Sequence, residues 1–527
     1  MIAPAAKVAV IGAGPGGLSA LKELREVGFD VTLFERRSDV GGLWTFSDDP
    51  SLTSAMPWTK SQISKFISSM SDFPFPDHYP AHISAEEWSE YYKAYAKHFE
   101  LYNNIVFNAT VELIQRDHNR GKWLVHVAGE EARTFDKIVL ASGSETTPVY
   151  PDIENLDQFR GQFTHSQAYK GPEGMKGKTA VVIGVGNTAC DVVVELADHA
   201  SRVYLSHRRG AKIIPRMNAD GPIDAVMSWR TSRLGFWLEH YFPTIFGLLG
   251  ESVVKKNVQA LGEQDPDWGF EPSPSLGISF NAIVVNDELF SRLRDGSVHS
   301  VRGVRRIAGP HAVELDDGKI IQDVDVIIAA TGYRPDFSLV PDLSHNTMSD
   351  PNHPALPNLY QNIFAVEYPD SLACVSYCTV NDNAASYREL QSMAIAQVWA
   401  GNSSLPPAAE MRRNLAMYQR WIWKKVRAFS GAPTGTGRQH SWMRFVHEMA
   451  GTGMYEYLGW GRKGWQFWWQ DRDFYRLVAW GAYSPHMYRL FETGKRRTWP
   501  GAREAIIKVN KDRDKMFPKT KHKGKTA

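Results

Sequence analysis

Residues 8–17 read VAVIGAGPGG. A short apolar run of buried-strand character enters a loop with Gly12, Gly14 and Gly17, and the helix-forming run LSALKELREVG follows. Each glycine has its own task. Gly12 permits the tight turn, Gly14 lets backbone approach a pyrophosphate, and Gly17 allows helix and strand to pack closely. The amino end of the helix then faces negative charge, with Pro15 and Gly16 completing the loop. A second strand, VTLF, ends at Glu35, 18 residues past Gly17. A carboxylate there accepts hydrogen bonds from a ribose and repels a 2′-phosphate. Strand, glycines, helix, strand and acid in that order specify a dinucleotide-binding α/β unit. Gly42, Leu43 and Trp44, in GGLW, form another close-approach loop, although Trp44 taken alone reads as core packing.

The pattern recurs once, with a difference. Residues 179–191 read TAVVIGVGNTACD, with Gly184, Gly186 and Ala189 at the loop positions. Asn187, Thr188 and Asp191 open the following helix, and alanine is a recognised variant of the third glycine. The next strand, RVYLS, ends at Ser206 and runs into His207, Arg208 and Arg209, with no acid at the ribose position. Guanidinium groups suit bidentate capture of a phosphate, so NADPH is expected over NADH, against the plainer reading of a solvated turn. An acid after one loop and arginines after the other assign FAD to the first and NADPH to the second. Hydride then passes from nicotinamide to flavin where the two units face each other.

Composition narrows the class. The chain has 527 residues, 43% hydrophobic and 22% charged, with a formal net charge of +2. That length suits two or three domains, and the near-balance of charge gives no dense basic face for nucleic acid. The three cysteines, Cys190, Cys374 and Cys378, form no disulfide framework and fit a reducing, cytoplasmic setting. No metal-ligating cluster stands out. No run approaches the length of apolar residues that a membrane-spanning helix needs, and the amino-terminal run reads as a strand rather than a signal peptide.

Between the loops, residues 159–169 read FRGQFTHSQAY, with no strong helix or strand period, and the segment is expected to be an irregular passage between the two units. Phe159, Gly161, His165 and Tyr169 in this spacing resemble the fingerprint of the flavin-containing monooxygenases. SDFPFPDHYP (71–80), NDELFSRL (286–293), ATGYRPDF (330–337), SPHMYRL (484–490) and WPGAREAI (499–506) look like blocks of the same family, so the resemblance spans roughly residues 7–506. It implies that NADPH reduces FAD, that reduced flavin traps O2 as a C4a-hydroperoxide sheltered by retained NADP, and that a nucleophilic nitrogen or sulfur of a small substrate takes one oxygen. The protein then contributes shelter and orientation, because a solvated hydroperoxide collapses to hydrogen peroxide. His165 is expected to hold the passage in shape rather than to transfer protons. Val111, Ser142, Thr331 and Gly332 complete the candidate cofactor-binding positions.

Two departures from the family pattern carry expectations. Family members commonly have an asparagine where this chain has Gln62; Gln62 or its neighbour Ser61 is expected to touch both flavin and nicotinamide, the alternative being that Gln62 caps a helix. Animal members often end in a membrane anchor, whereas this chain ends in a basic tail from Lys511 that reads as solvated and frayed. Just upstream, the tryptophan-rich residues 453–481 read as packing, with a peripheral membrane patch and a substrate lid as alternatives.

The expected fold is α/β: two interleaved Rossmann-like dinucleotide-binding domains for FAD and NADPH, plus a helical, aromatic-rich carboxyl-terminal region. Residues 1–154 begin the FAD domain, 155–328 form the NADPH domain with an insertion at about 212–285, 329–400 complete the FAD domain, and 401–527 form the terminal region. Strands are expected near 8–11, 31–34, 123–127 and 137–141. A homodimer is compatible with this plan. Three rival functions are weighed. A disulfide reductase needs a redox pair closer than Cys374 and Cys378. A Baeyer–Villiger monooxygenase of ketones normally has tryptophan where Tyr169 stands. An inactive nucleotide-binding scaffold is opposed by the intact glycines, Glu35 and the arginine pair.

Overall fold

Strand Lys7–Ile11 is apolar on both faces because it lies between two parallel neighbours, Asp30–Phe34 and Lys137–Leu140, with Ile11 opposite both Phe34 and Leu140. The computed structural model describes residues 5–218, 220–271, 283–346, 355–380, 382–428 and 433–518. The first sheet runs in the order Leu359–Tyr360, Phe364–Ala365, Leu372–Cys374, Lys137–Leu140, Lys7–Ile11, Asp30–Phe34, Ile105–Val106. Its side chains alternate between two cores. Val8, Val10, Leu33 and Val139 meet helices Pro15–Glu26 and Ala384–Trp399. Ala9, Ile11, Ile138 and Leu140 meet the antiparallel meander Val111–Asp117, Lys122–Val127, Arg133–Phe135, which contributes Ile114, Trp123 and Val125. Leu372–Cys374 pairs parallel with Lys137–Leu140, so a late stretch of chain returns to complete the first sheet.

The second sheet is wholly parallel, in the order His299–Val301, Arg202–Ser206, Thr179–Ile183, Val326–Ala329, Gln162–His165. Its edge strand corrects the sequence reading. The segment expected to be irregular pairs in register with Val326–Ala329, His165 opposite Ala329. A four-residue edge strand is too short to show a period.

Helices Trp229–Tyr241 and Pro243–Gln259 pack against each other in the insertion; residues 272–282 of that expected insertion lie outside the described residues. Helix Gln439–Ala450 packs on Ala384–Trp399 and carries the terminal region onto the first unit. The tail also departs from expectation: Lys511–Met516 continue helix Ala502–Met516, and Phe517 packs edge-on against Phe66, while residues 519–527 lie outside the described residues. Within the tryptophan-rich stretch, tyrosine and phenylalanine do the packing. Tyr457 stacks on Phe491 at 4.4 Å, and Phe467 meets Phe474 and Tyr475. Trp460, Trp469 and Trp480 are 76%, 66% and 62% exposed.

The SPHMYRL block has a structural task. Buried Arg489 bonds Ser71 Oγ at 2.9 Å and pairs with Asp72 at 3.1 Å, Glu26 at 3.2 Å and Glu23. Lys22 joins Asp72 at 2.6 Å and Glu26 at 3.1 Å from the same helix that follows the first glycine loop.

Candidate functional site

The glycine turns follow from contact distances. Gly12 has φ +104°, a conformation that favours glycine, and a Cβ there would stand 2.7 Å from the Ala141 carbonyl oxygen. A Cβ on Gly17 would stand 1.8 Å from the Gly12 oxygen, so helix and strand meet with no room for a methyl. Gly184 repeats the arrangement at φ +123°, 2.3 Å from the Ala330 oxygen. Ser142 follows Ala141 beside the first turn, and Thr331 and Gly332 follow Ala330 beside the second. Val111 starts the meander within the core of the first unit.

Both helix amino ends are built to receive an anion. Helices Pro15–Glu26 and Asn187–Ala197 start from Gly14 and Gly186 without a side-chain cap and with no acid in the first turn. Their leading amides and dipoles therefore remain available for phosphate. On this test the residues fit two dinucleotides. Thr188 is exposed at the second helix's opening, whereas the Asn187 side chain accepts from Val285 N–H at 3.0 Å. Asp191 accepts from Asn286 Nδ2 at 3.1 Å, and burial raises its carboxyl to about 6.

Glu35 sits at the end of its strand, 5% exposed, accepting from Ala13 N–H at 2.6 Å and Arg37 N–H at 2.8 Å. Arg37 was not singled out by sequence, yet it staples the GGLW loop. Its guanidinium reaches the Gly42 oxygen at 2.9 Å, the Thr45 oxygen at 2.8 Å and the Thr53 oxygen at 2.6 Å. The ERR run at 35–37 is the only sequence signal, and it reads as surface charge. Trp44 stacks on Trp88 at 5.3 Å, consistent with the packing reading.

At the second unit, Ser206 is fully buried, donating to the Arg302 oxygen at 2.9 Å and accepting from Val304 N–H at 3.1 Å. Arg208 extends from the strand end, mostly exposed, within 3.5 Å of Asp316. Arg209 follows it. His207 turns inward to Ser300 Oγ at 2.9 Å, and burial lowers it to about 4.

The fingerprint residues are held by packing. Phe159 enters the second unit's core with Val181 and Ile327. A Cβ on Gly161 would stand 2.5 Å from both the Asp325 oxygen and the Phe159 ring. His165 is 1% exposed; its Nδ1 accepts from Gln167 N–H at 3.1 Å, which leaves Nε2 protonated and donating to the Gly332 oxygen at 3.2 Å. Burial lowers its pKa, so the ring is neutral. Tyr169 donates to Glu195 at 2.7 Å.

Ser61 and Gln62 divide their roles. Ser61 is buried, with its hydroxyl donating to the Ile63 oxygen at 3.0 Å and accepting from Ile83 N–H at 3.1 Å. Gln62 is half-buried, and among the described residues its amide has no hydrogen-bond partner. The segment is pinned by two residues that sequence reading missed. Asp224 accepts from Ser64 N–H at 2.6 Å, and His82 Nδ1 lies 3.1 Å from the Ser61 oxygen. Burial raises the Asp224 carboxyl and lowers the His82 imidazole, each opposed by the other's charge. The cysteines are buried and unpaired, and burial pushes the Cys374 thiol to about 11. Such thiols are inert.

Two uncapped glycine-turn helices, each following a strand with parallel neighbours on both sides, define a two-dinucleotide oxidoreductase fold. The chain belongs to the flavin-binding monooxygenase-like family, which matches residues 5–526. FAD and NADPH are its cofactors. It is 37% identical to monooxygenase aurF of Gibberella zeae, over 98% of this chain and 99% of that protein. It is 31% identical to dimethylaniline monooxygenase (N-oxide-forming) 2 of Mus musculus, over 95% of this chain and 91% of that protein. Cyclohexanone monooxygenase from Rhodococcus sp. Phi1, solved bound to NADP+, shares the fold at a TM-score of 0.63 and 17% identity, covering 87% of this chain and 99% of that one. Among the described residues no helix is long and apolar enough to cross a membrane.

Proposed function

We propose that the chain uses NADPH and O2 to transfer one oxygen atom to a nucleophilic nitrogen or sulfur of a small organic substrate. The observation that carries this reading is the asymmetry of the two anion-receiving turns, Glu35 after the first and Arg208 with Arg209 after the second. FAD lies on the first turn, within residues 1–154 and 329–400, and NADPH lies on the second, within 155–328. When bound, FAD reduced by NADPH supplies the oxygen-activating chemistry. The chain's own residues bind, orient and exclude water. Gly12, Gly14 and the first amides of Pro15–Glu26 take the pyrophosphate, and Glu35 takes the ribose in place of its present backbone partners. Arg37 keeps the GGLW loop closed. Gln62, left without a partner beside the pinned Ser61, turns its amide to the facing rings. His165, neutral and doubly bonded, fixes the passage and moves no proton.

Similarity to a protein named for N-oxide formation supports nitrogen as an acceptor. The oxygenation balances as substrate, NADPH, O2 and one proton giving oxide, NADP+ and water. Purified FAD-loaded protein is expected to form sulfoxide from a thioether or N-oxide from a tertiary amine in step with NADPH loss. Conversion of cyclohexanone to its lactone instead would replace this reading with Baeyer–Villiger oxygenation. A protein that binds no flavin and consumes no NADPH in air would be a scaffold.

The setting we propose is cytoplasmic, with peripheral contact to a membrane surface. Its support is the set of exposed tryptophans at 460, 469 and 480, with Arg230 stacked 4.9 Å over Trp460 and Arg472 4.6 Å over Trp469.

A further inference from the structure

Where the insertion meets the terminal helices, a half-buried arginine and a half-buried aspartate have buried end atoms and no ion pair joining them. Arg233, on helix Trp229–Tyr241, stacks 4.5 Å from the ring centres of both Trp229 and Phe236. Its Nη1 donates to the Tyr455 hydroxyl at 2.9 Å, while Nε and Nη2 are buried and, among the described residues, have no hydrogen-bond partner. Asp382 stands one residue before Asn383, the cap of helix Ala384–Trp399. Its Oδ1 accepts from Asn383 N–H at 2.7 Å, and its Oδ2 is buried and, among the described residues, without a hydrogen-bond partner. Burial pushes this carboxyl up to about 6, and Arg233 is the charge that opposes the shift. Tyr483 interacts electrostatically with both groups and bonds Tyr488 at 3.3 Å.

Buried donors and acceptors are rarely left unmade, and here two donors and an acceptor are left unmade in one neighbourhood. The place adjoins the Gln62 segment. Asn383 Nδ2 donates to the Ile67 oxygen, and Tyr483 N–H donates to the Met227 oxygen at 3.0 Å. Ala225 and Ala482, their near neighbours in sequence, pack with Phe66 and Ile67. At neutral pH the pair is a cation and a carboxylate, so a charged ligand group would meet one of them with like sign. A group that accepts and donates at a single oxygen satisfies both.

We propose that Arg233 and Asp382 form a recognition site for a hydroxyl group on an aromatic substrate, the oxygen accepting from Arg233 and the proton directed to Asp382 Oδ2. The surroundings are aromatic, with Trp229 meeting Tyr455 and Tyr483 edge-on at 5.1 and 5.7 Å and Phe236 under the Arg233 guanidinium, which suits a ring at the hydroxyl. The inference rests on the proposed oxygenation, since the anchored ring would present its nucleophilic atom toward the Gln62 segment.

The test is isothermal titration calorimetry of FAD-loaded protein with NADP+ present, using 4-(methylsulfanyl)phenol and methyl phenyl sulfide. The wild type is expected to bind the phenol at least about tenfold more tightly, the scale of one buried hydrogen-bonding group left unpaired. Asp382→Ala and Arg233→Lys are expected to abolish that preference while leaving flavin reduction by NADPH unchanged. Should Arg233→Lys fail to retain FAD, Asp382→Asn replaces it, with a reduced preference expected. Equal affinities in the wild type, the result if water alone bridges the pair, overturn the site, as does a preference that survives in the Asp382 variants. Sulfoxide formation read alongside separates the two claims. Preferential phenol binding without sulfoxide would sink the oxygenation and keep the site; sulfoxide from both compounds at equal affinity would do the reverse.

Discussion

At Gly161 a single hydrogen atom is all the space allows, since a methyl would meet the Asp325 carbonyl and the Phe159 ring together. Gly161→Ala is expected to destabilise the fold by about 1–3 kcal/mol, as overpacking does, with thermal unfolding as the readout. His165→Gln can still donate to the Gly332 oxygen, so it should keep turnover, whereas His165→Leu leaves the Gln167 N–H without its acceptor, the Gly332 oxygen keeping Val149 N–H at 3.0 Å, and lowers the melting temperature. Gln62 presents the opposite case, an amide with no structural bond to lose. Gln62→Ala should leave melting temperature and flavin content unchanged while product formed per NADPH falls and hydrogen peroxide rises. Unchanged coupling would remove Gln62 from the reaction. Arg208→Gln combined with Arg209→Gln should raise the KM for NADPH about tenfold or more and leave that for NADH near its wild-type value, as expected when charged bonds to a phosphate are lost.

Among the elements, the helix pair Pro15–Glu26 and Ala384–Trp399 shows what sequence discloses and what it hides. The first was legible because its glycines, period and following acid are local. The second was not: Glu389 reads as a surface charge in a helix, yet it is fully buried, accepting from Ser71 N–H at 2.8 Å and Ser71 Oγ at 2.7 Å. Burial, with Asp72 nearby, raises its carboxyl from the usual 4.5 to about 8. Between those values the folded state holds a proton that the unfolded state has released, so stability contributed by Glu389 falls as pH rises from about 5 to 8. Glu389→Gln should flatten the melting temperature across that window; an unaltered slope would show that other groups set it. The Gln162–His165 edge strand was hidden for a different reason, since its pairing partner lies more than 160 residues away in sequence. Arg37, Asp224 and Arg233 were equally illegible, because their meaning depends on contacts from distant segments.

For the whole molecule, the chain threads out of the first sheet, builds the second, and returns with Leu372–Cys374, so two cofactor-receiving turns are fixed on one continuous scaffold. The Arg489 network ties the terminal block to the helix behind the first turn, and it explains why a region remote in sequence belongs to the same machine. The central claim is that this scaffold shelters oxygen activated at flavin until a nucleophile takes it. The direct measurement is stopped-flow absorbance of FAD-loaded protein, reduced anaerobically with NADPH and then mixed with O2. Recovery of the oxidised flavin spectrum should occur in two separated steps, with hydrogen peroxide appearing only in the second and a thioether suppressing it. Single-step recovery with one peroxide per flavin, indifferent to amine or thioether, would contradict the account.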